Sequence, residues 1–265
     1  MYEFNYKRAG AIVEAVAAVN DADDGKFLAG GQTLLPTLKQ RLAMPSDLID
    51  LADIDELKGI NVDGDNVAIG AMTRHVDVAG SADVQAKIPA LAALAGDIGD
   101  RQVRNRGTLG GSIANNDPAA DYPAACVALG ATVTTNERAL TAEDFFTGLF
   151  ETALGDSEIV SSVSFPVPEK ATYMKFKNPA SRYAIVGVFV AKAGSTVTLA
   201  VTGAGNSGVF RVPEMERALM EDFSAAALVG ITVPPEDLNS DIHAAADYRA
   251  HLIGVMARRA VEACG

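Results

Sequence analysis

Lys26-Phe27-Leu28-Ala29-Gly30-Gly31-Gln32-Thr33-Leu34-Leu35-Pro36 is the stretch whose reading decides how this chain folds. Lys26 to Ala29 reads as a short buried strand that runs into a glycine pair. Leu34 to Arg41 then reads as a helix, with Pro36 tolerated in its first turn and Thr33 placed to cap it. Glycines between a strand and a helix carry no Cβ, so the backbone there can approach a ligand closely. Successive amides in such a turn form an anion-binding concavity, and the helix dipole adds to it. An ordinary tight turn uses the same residues, so this segment alone leaves both readings open.

Upstream, Ala11 to Val19 places apolar side chains at helical spacing; downstream, Leu48 to Leu51 reads as a second strand. The chain therefore opens as a small α/β unit. In the middle, Gly59 to Val62 and Asn66 to Gly70 flank Asp63-Gly64-Asp65, the turn chemistry of a hairpin. A helix over Pro89 to Ile98 follows, then a loop rich in Arg, Asn and Gly. Ala131 to Thr135 and Glu158 to Pro166 return to strand character, and Pro166-Val167-Pro168 marks a domain boundary. Beyond it lie three strands, Tyr173 to Lys177, Tyr183 to Lys192 and Ser195 to Thr202, and two helices, Pro213 to Met220 and Ala244 to Cys264. An antiparallel sheet with helices on one face fits that order.

The glycine theme returns in Arg104-Asn105-Arg106-Gly107-Thr108-Leu109-Gly110-Gly111-Ser112-Ile113-Ala114-Asn115-Asn116-Asp117-Pro118-Ala119-Ala120-Asp121. Hydroxyl residues flank the pair and can donate to phosphate oxygens, and Asp121 can accept from ribose hydroxyls. Asn and Asp before Pro also form turns routinely. One such loop says little, whereas two point to a ligand with two phosphates and a long body. Gly203-Ala204-Gly205-Asn206-Ser207-Gly208 matches the dinucleotide pattern G-x-G-x-x-G after an apolar strand. Its last glycine, however, runs into Val209-Phe210-Arg211-Val212-Pro213, extended chain and not a first helical turn, so it reads as a sheet-to-helix connection.

Composition narrows the classes further. With 265 residues, 49% hydrophobic and 21% charged, the chain has material for a real core. A net charge of -12 with no basic run excludes a nucleic-acid partner. No long apolar run suggests a membrane span, and the start Met1-Tyr2-Glu3-Phe4-Asn5-Tyr6-Lys7 lacks a signal-peptide pattern, so a cytoplasmic protein is expected. Two cysteines, Cys126 and Cys264, cannot ligate an iron–sulfur cluster that needs four. Cys126, in the run Pro123-Ala124-Ala125-Cys126-Val127, reads as a buried small hydrophobe. His75, His243 and His251 make no metal-binding spacing. Thr73-Arg74-His75 reads either as a ligand-facing segment or as a solvated loop. Glu14, Glu56 and Glu158 read as solvated, and no nucleophile elbow is present.

Taken together, AGGQTLLP (29–36), TLGGSIAN (108–115), Asp121 and KFKNPASRYAIVGV (175–188) resemble the FAD-binding, or medium, subunit of the xanthine dehydrogenase and aerobic carbon monoxide dehydrogenase family of molybdenum hydroxylases. The resemblance covers nearly the whole chain and is carried by three distant regions. It implies an α+β fold: a two-part FAD-binding domain of the vanillyl-alcohol-oxidase (PCMH) type over 1–168, with subdomains of about 1–55 and 56–168. A carbon monoxide dehydrogenase flavoprotein C-terminal domain of antiparallel sheet and helices then occupies 169–265.

Carried over by position, the resemblance implies that Phe27, Leu28, Ala29, Gly30, Gly31, Gln32, Thr33 and Leu34 wrap the FAD pyrophosphate and its neighbours. Thr108, Leu109, Gly110, Gly111 and Ser112 would form the second phosphate clamp, and Asp121 would bind ribose. Replacing Gly110 or Gly111 by Val is expected to expel the flavin, the new side chain taking the phosphate's place. Ile98 falls where some relatives place an aromatic residue near the flavin ring; Ile159 matches a backbone contact. Lys177 and Tyr183 match positions beside the isoalloxazine. A surface lysine and a core tyrosine are what the last two would be without the resemblance.

The family further implies partner subunits, a molybdopterin-binding large subunit and a [2Fe–2S] small subunit, in a dimer of heterotrimers. Electrons would pass from a molybdenum centre through the clusters to FAD and on to NAD, a quinone or oxygen. Gln32 stands where carbon-monoxide-oxidising members often carry His, which leans the reading away from carbon monoxide. Two alternatives use the same fold: a self-sufficient FAD-dependent oxidoreductase without partners, and an interaction protein that has lost the cofactor.

Overall fold

The computed structural model describes residues 1–264. The N-terminal unit contains β1 (Asn5–Arg8), α1 (Ile12–Asn20), β2 (Gly25–Leu28), α2 (Leu34–Lys39) and β3 (Asp47–Asp50). Its three strands form a parallel sheet in the order β1-β3-β2. Ala15 and Val19 of α1 bury against Ile49, Leu51, Ile54 and Leu57, which is the helical spacing anticipated from the sequence. β1 was not anticipated. All four of its side chains are exposed, so no apolar alternation betrays it, and pairing with β3 alone makes it a strand.

The central unit adds β4 (Ile60–Asp63), β5 (Asn66–Gly70), α3 (His75–Gly80), α4 (Ala82–Lys87), α5 (Pro89–Gly96), α6 (Arg101–Arg104), α7 (Leu109–Asn115), α8 (Tyr122–Ala128), β6 (Thr132–Thr135), β7 (Ala139–Thr141), α9 (Ala142–Phe145), β8 (Phe146–Gly148), β9 (Glu151–Thr152) and β10 (Val160–Pro166). An antiparallel sheet runs in the order β4-β5-β10-β6-β7, with β8 and β9 as a separate ribbon. The expected hairpin is present, Asp63 pairing with Asn66 across Gly64-Asp65. Gly64 takes φ 57°, the left-handed backbone that such two-residue turns require.

The region read as a loop after α5 is helical. Asp100 caps α6 by accepting from the Val103 amide at 2.8 Å, and Thr108 caps α7 by accepting from the Gly111 amide at 3.2 Å. The glycines of α7 mask it in the sequence, because glycine disfavours helix by about 1 kcal/mol relative to alanine. Burial of Leu109 and Ile113 supplies what propensity lacks. Cys126 is buried as expected, but on α8, whose seven residues are all buried and therefore show no amphipathic period.

The C-terminal unit is an antiparallel sheet, β11 (Lys170–Lys177), β12 (Ala184–Ala193), β13 (Thr196–Thr202) and β14 (Phe210–Arg211), followed by α10 (Pro213–Glu221) and α11 (Ala246–Ala263). Gly203 to Gly208 leads into β14 and opens no helix, as expected. Along β12, Val186, Val188 and Val190 join a core with Met256, Ala257 and Ala260 of α11, while Phe189 and Ala191 join the core of the central unit. The unit's two helices thus cover one face of the sheet, as expected, the central unit covers the other, and the strand alternation sends successive side chains into two different cores. Among the described residues, no helix is long and apolar enough to cross a membrane.

Candidate functional site

The two glycine turns meet. A Cβ on Gly30 would stand 2.1 Å from the carbonyl oxygen of Arg106 and 2.8 Å from Cα of Gly107. A Cβ on Gly111 would lie 3.3 Å from that of Ala29. Only backbone fits at the first contact, which is why glycine occurs there. The second turn is in turn stitched to the segment that leaves β5. Gly110 N–H donates to Ala71 O at 2.8 Å, Leu109 N–H to Thr73 O at 3.1 Å, and His75 N–H to Gly107 O at 3.0 Å.

Beside this junction lies a cavity of about 710 Å³, within the range of small-molecule and cofactor sites. Phe27, Ala29, Gly30, Gly31, Gln32, Thr33, Leu34, Ile98, Thr108, Gly110, Gly111, Ser112, Asp121, Ile159 and Tyr183 all line it. Three residues expected at the site do not. Leu28 packs beside Gly31 instead, its Cδ1 3.2 Å from where a Cβ on that glycine would stand. Leu109 is fully buried in the central core. Lys177 is half-exposed at the end of β11 and pairs with Asp97 at 2.6 Å.

The turns offer a ligand different chemistry. In the first, the Leu35 amide donates to Gly31 O at 3.1 Å to begin the helical ladder, so the amides of Gln32, Thr33 and Leu34 precede it and remain for an anion. Thr33 does not cap through its side chain; its carbonyl oxygen instead accepts from the Thr37 hydroxyl at 2.9 Å. In the second turn, the amides of Leu109, Gly110, Gly111 and Ser112 are already spent on Thr73, Ala71 and Thr108. That wall can contribute the hydroxyls of Thr108 and Ser112 and the positive end of α7, but not a nest of amides. Gly110 also has a different reason to be glycine than the one expected: a Cβ there would meet Cβ of Ala71 at 2.5 Å, not the cavity.

Among the ionisable groups at the cavity, Glu158 is the one the sequence reading placed elsewhere. His75 begins α3, is buried and lines the wall, which settles the open reading of Thr73-Arg74-His75 against a solvated loop. Burial, aided by the charge of Arg104, pushes its pKa from 6.5 down to about 4, so the imidazole is neutral. Its Nδ1 is buried without a hydrogen-bond partner. Glu158 was expected to be solvated but lines the cavity with its side chain buried. Hydrogen bonds from Arg138 and Thr135 hold its pKa near 2. Asp121 is buried, and its carboxylate accepts from the Tyr173 hydroxyl at 2.5 Å and Lys175 Nζ at 3.1 Å. At another part of the wall, Tyr183 is half-exposed. No group of three or more His, Cys, Asp or Glu among the described residues could hold a metal ion.

The geometry suits a long diphosphate. Side-chain-free backbone, uncommitted amides, two hydroxyls and two helix N-termini converge at one part of the cavity, and aliphatic walls and a tyrosine line the rest.

Comparison with known proteins agrees with this. Residues 2–168 match the family model described as the FAD binding domain in molybdopterin dehydrogenase. The chain is similar to the carbon monoxide dehydrogenase medium chain of Hydrogenophaga pseudoflava, with 37% identity covering 98% of this chain and 96% of that one. It is also similar to the nicotine 6-hydroxylase medium subunit of Paenarthrobacter nicotinovorans, with 34% identity over 98% and 96%. Among solved structures, it resembles carbon monoxide dehydrogenase from Hydrogenophaga pseudoflava lacking the Mo-pyranopterin moiety of the molybdenum cofactor. That likeness has a TM-score of 0.88 at 36% identity and covers 99% of this chain and 97% of the other.

Proposed function

Since this chain belongs to the family of FAD-binding domains in molybdopterin dehydrogenases, we propose that it is the FAD-carrying electron-transfer subunit of a molybdenum hydroxylase. FAD is its cofactor, and its partners are a large subunit with the molybdenum cofactor and a small iron–sulfur subunit. We further read the assembly as a dimer of heterotrimers located in the cytoplasm. The FAD domain would occupy 1–168, divided near residue 55, and the C-terminal domain 169–265. The observation that carries the functional reading is the convergence of the Gly30 and Gly107–Gly111 backbones on one cavity.

When bound, FAD supplies the electron-transfer chemistry, and the protein supplies orientation and exclusion of water. In this reading the amides of Gln32, Thr33 and Leu34 and the hydroxyls of Thr108 and Ser112 hold the pyrophosphate. Ile98 offers an aliphatic wall to the flavin ring in place of an aromatic one, Ile159 a backbone contact, and Tyr183 a face to stack on. Asp121 accepts from ribose with the lone pairs that Tyr173 and Lys175 leave. Lys177 would have to leave Asp97 to reach the ring.

A self-sufficient oxidoreductase would need its own acid or base beside the flavin. Glu158 is tied up in hydrogen bonds and His75, with its pKa lowered to about 4, is a weak base, which favours the partner-dependent reading. The discriminating experiment is purification under non-denaturing conditions. A yellow protein with flavin absorbance, accompanied by molybdenum- and iron-bearing chains, is expected; a colourless chain that refuses added FAD would refute the assignment.

A further inference from the structure

Asp121 faces the cavity from α8's N-terminal end, but the groups that fix it come from the far side of the chain. On β11, Tyr173, Lys175 and Lys177 alternate onto one face. The Tyr173 hydroxyl donates to Asp121 Oδ1 at 2.5 Å, and Lys175 Nζ lies 3.0 and 3.1 Å from the two carboxylate oxygens. Lys175 Nζ also donates to the carbonyl oxygen of Asp97 at 3.0 Å. Asp97 immediately precedes Ile98 and Gly99, which line another wall of the same cavity. Only 2% of the Lys175 side chain and 4% of that of Asp121 reach solvent, so the ion pair is shielded from bulk water while Asp121 still lines the cavity.

The surroundings are shaped for these contacts. Gly187, paired with Lys175 across the β11–β12 ladder, leaves the space that the Tyr173 hydroxyl uses: a Cβ there would stand 2.3 Å from that oxygen, and glycine leaves room for it to reach Asp121. The ring of Tyr173 stacks on Phe189 at 6.1 Å and needs no help from the hydroxyl to stay packed. Burial drives the Asp121 carboxyl toward its neutral form, and Lys175 and Tyr173 oppose that. A carboxylate shielded from bulk water, with two donors fixing both oxygens, is held in one orientation, with its remaining lone pairs aimed by the protein.

We infer that Tyr173 and Lys175 are positioning residues for the cofactor. They reach out of the C-terminal sheet to orient Asp121 and anchor the Asp97–Gly99 turn, so that FAD affinity depends on a domain outside the one carrying the glycine turns. This rests on the FAD reading above, and neither residue lines the cavity, so both act through others.

The test is a titration of flavin-free full-length chain with FAD, read by quenching of flavin fluorescence. It covers wild type, Tyr173→Phe, Lys175→Met, Asp121→Ala and the Tyr173→Phe/Asp121→Ala double variant. Loss of one charge-bound hydrogen bond predicts a roughly tenfold weaker FAD affinity for Tyr173→Phe, and a larger loss for Lys175→Met, which frees two walls. In the Asp121→Ala background, Tyr173→Phe should change affinity less than about twofold, because the group it acts through is gone. A structural role alone would instead weaken binding equally in both backgrounds and lower the melting temperature of the flavin-free Tyr173→Phe chain in step. Either that pattern, or Tyr173→Phe binding FAD like wild type, overturns the inference. Wild type taking up no FAD would overturn the FAD reading itself.

Discussion

Gly30 and Gly107 touch backbone to backbone: a Cβ on the first would lie 2.8 Å from Cα of the second. Residues far apart in the chain are thereby held at a separation that no side chain permits, and the ligand turns stand or fall together.

Gly30→Val should therefore act as a wedge. Overpacking of this kind costs about 1–3 kcal/mol, and here it also separates the two halves of the site. Flavin content of the purified variant should fall below a tenth of wild type, while circular dichroism retains the helix and sheet signal.

Gly110→Val should fail differently. Its side chain would enter the contact with Ala71, whose Cβ, Cα and carbonyl oxygen all lie within 2.9 Å of the new carbon. The flavin-free variant should already unfold at least about 1–3 kcal/mol more easily than wild type in urea. Stability equal to wild type with flavin lost would restore the simpler idea that this glycine only makes room for phosphate.

His75 imposes a pH dependence on the flavin-free chain. Its pKa is about 4 when folded, against the ordinary histidine value of 6.5, so between these values the unfolded chain binds more protons. Stability is then complete above pH 6.5 and is lost as pH falls toward 4, by an amount on the order of 3 kcal/mol. His75→Gln should flatten that slope in urea melts measured across the window.

Glu158 acts lower on the pH scale. Its pKa near 2, against the ordinary glutamate value of 4.5, is set first by the hydrogen bond from Arg138. The stabilisation is present above pH 4.5 and disappears as pH falls through about 2. Because Arg138 is half-exposed, solvent screens the pair, and Arg138→Met should lower stability only modestly at pH 7, with the loss vanishing in acid. An equal loss at pH 2 and pH 7 would show that packing, not charge, is involved.

Much of this was legible in the sequence, and the exceptions share a cause. Both glycine turns, the Asp63-Gly64-Asp65 hairpin and the three long strands of the C-terminal sheet announce themselves through turn chemistry or apolar alternation, which are local signals. α7 was hidden because its two glycines argue against the helix that Thr108 and core burial impose. α8 was hidden because a segment buried all round has no period. Lys175 and Lys177 look alike on β11, and the sequence places both on one face. Only the tertiary packing sends Lys175 into the shielded contact with Asp121 and leaves Lys177 half-exposed beside Asp97.

The most direct test of convergence is amide hydrogen exchange on the full chain with and without FAD. Bound FAD should slow exchange in both 30–34 and 107–112, most strongly at Gln32, Thr33 and Leu34, whose amides precede the helical ladder. Protection of only one of the two stretches by saturating FAD, or of neither, would contradict the account.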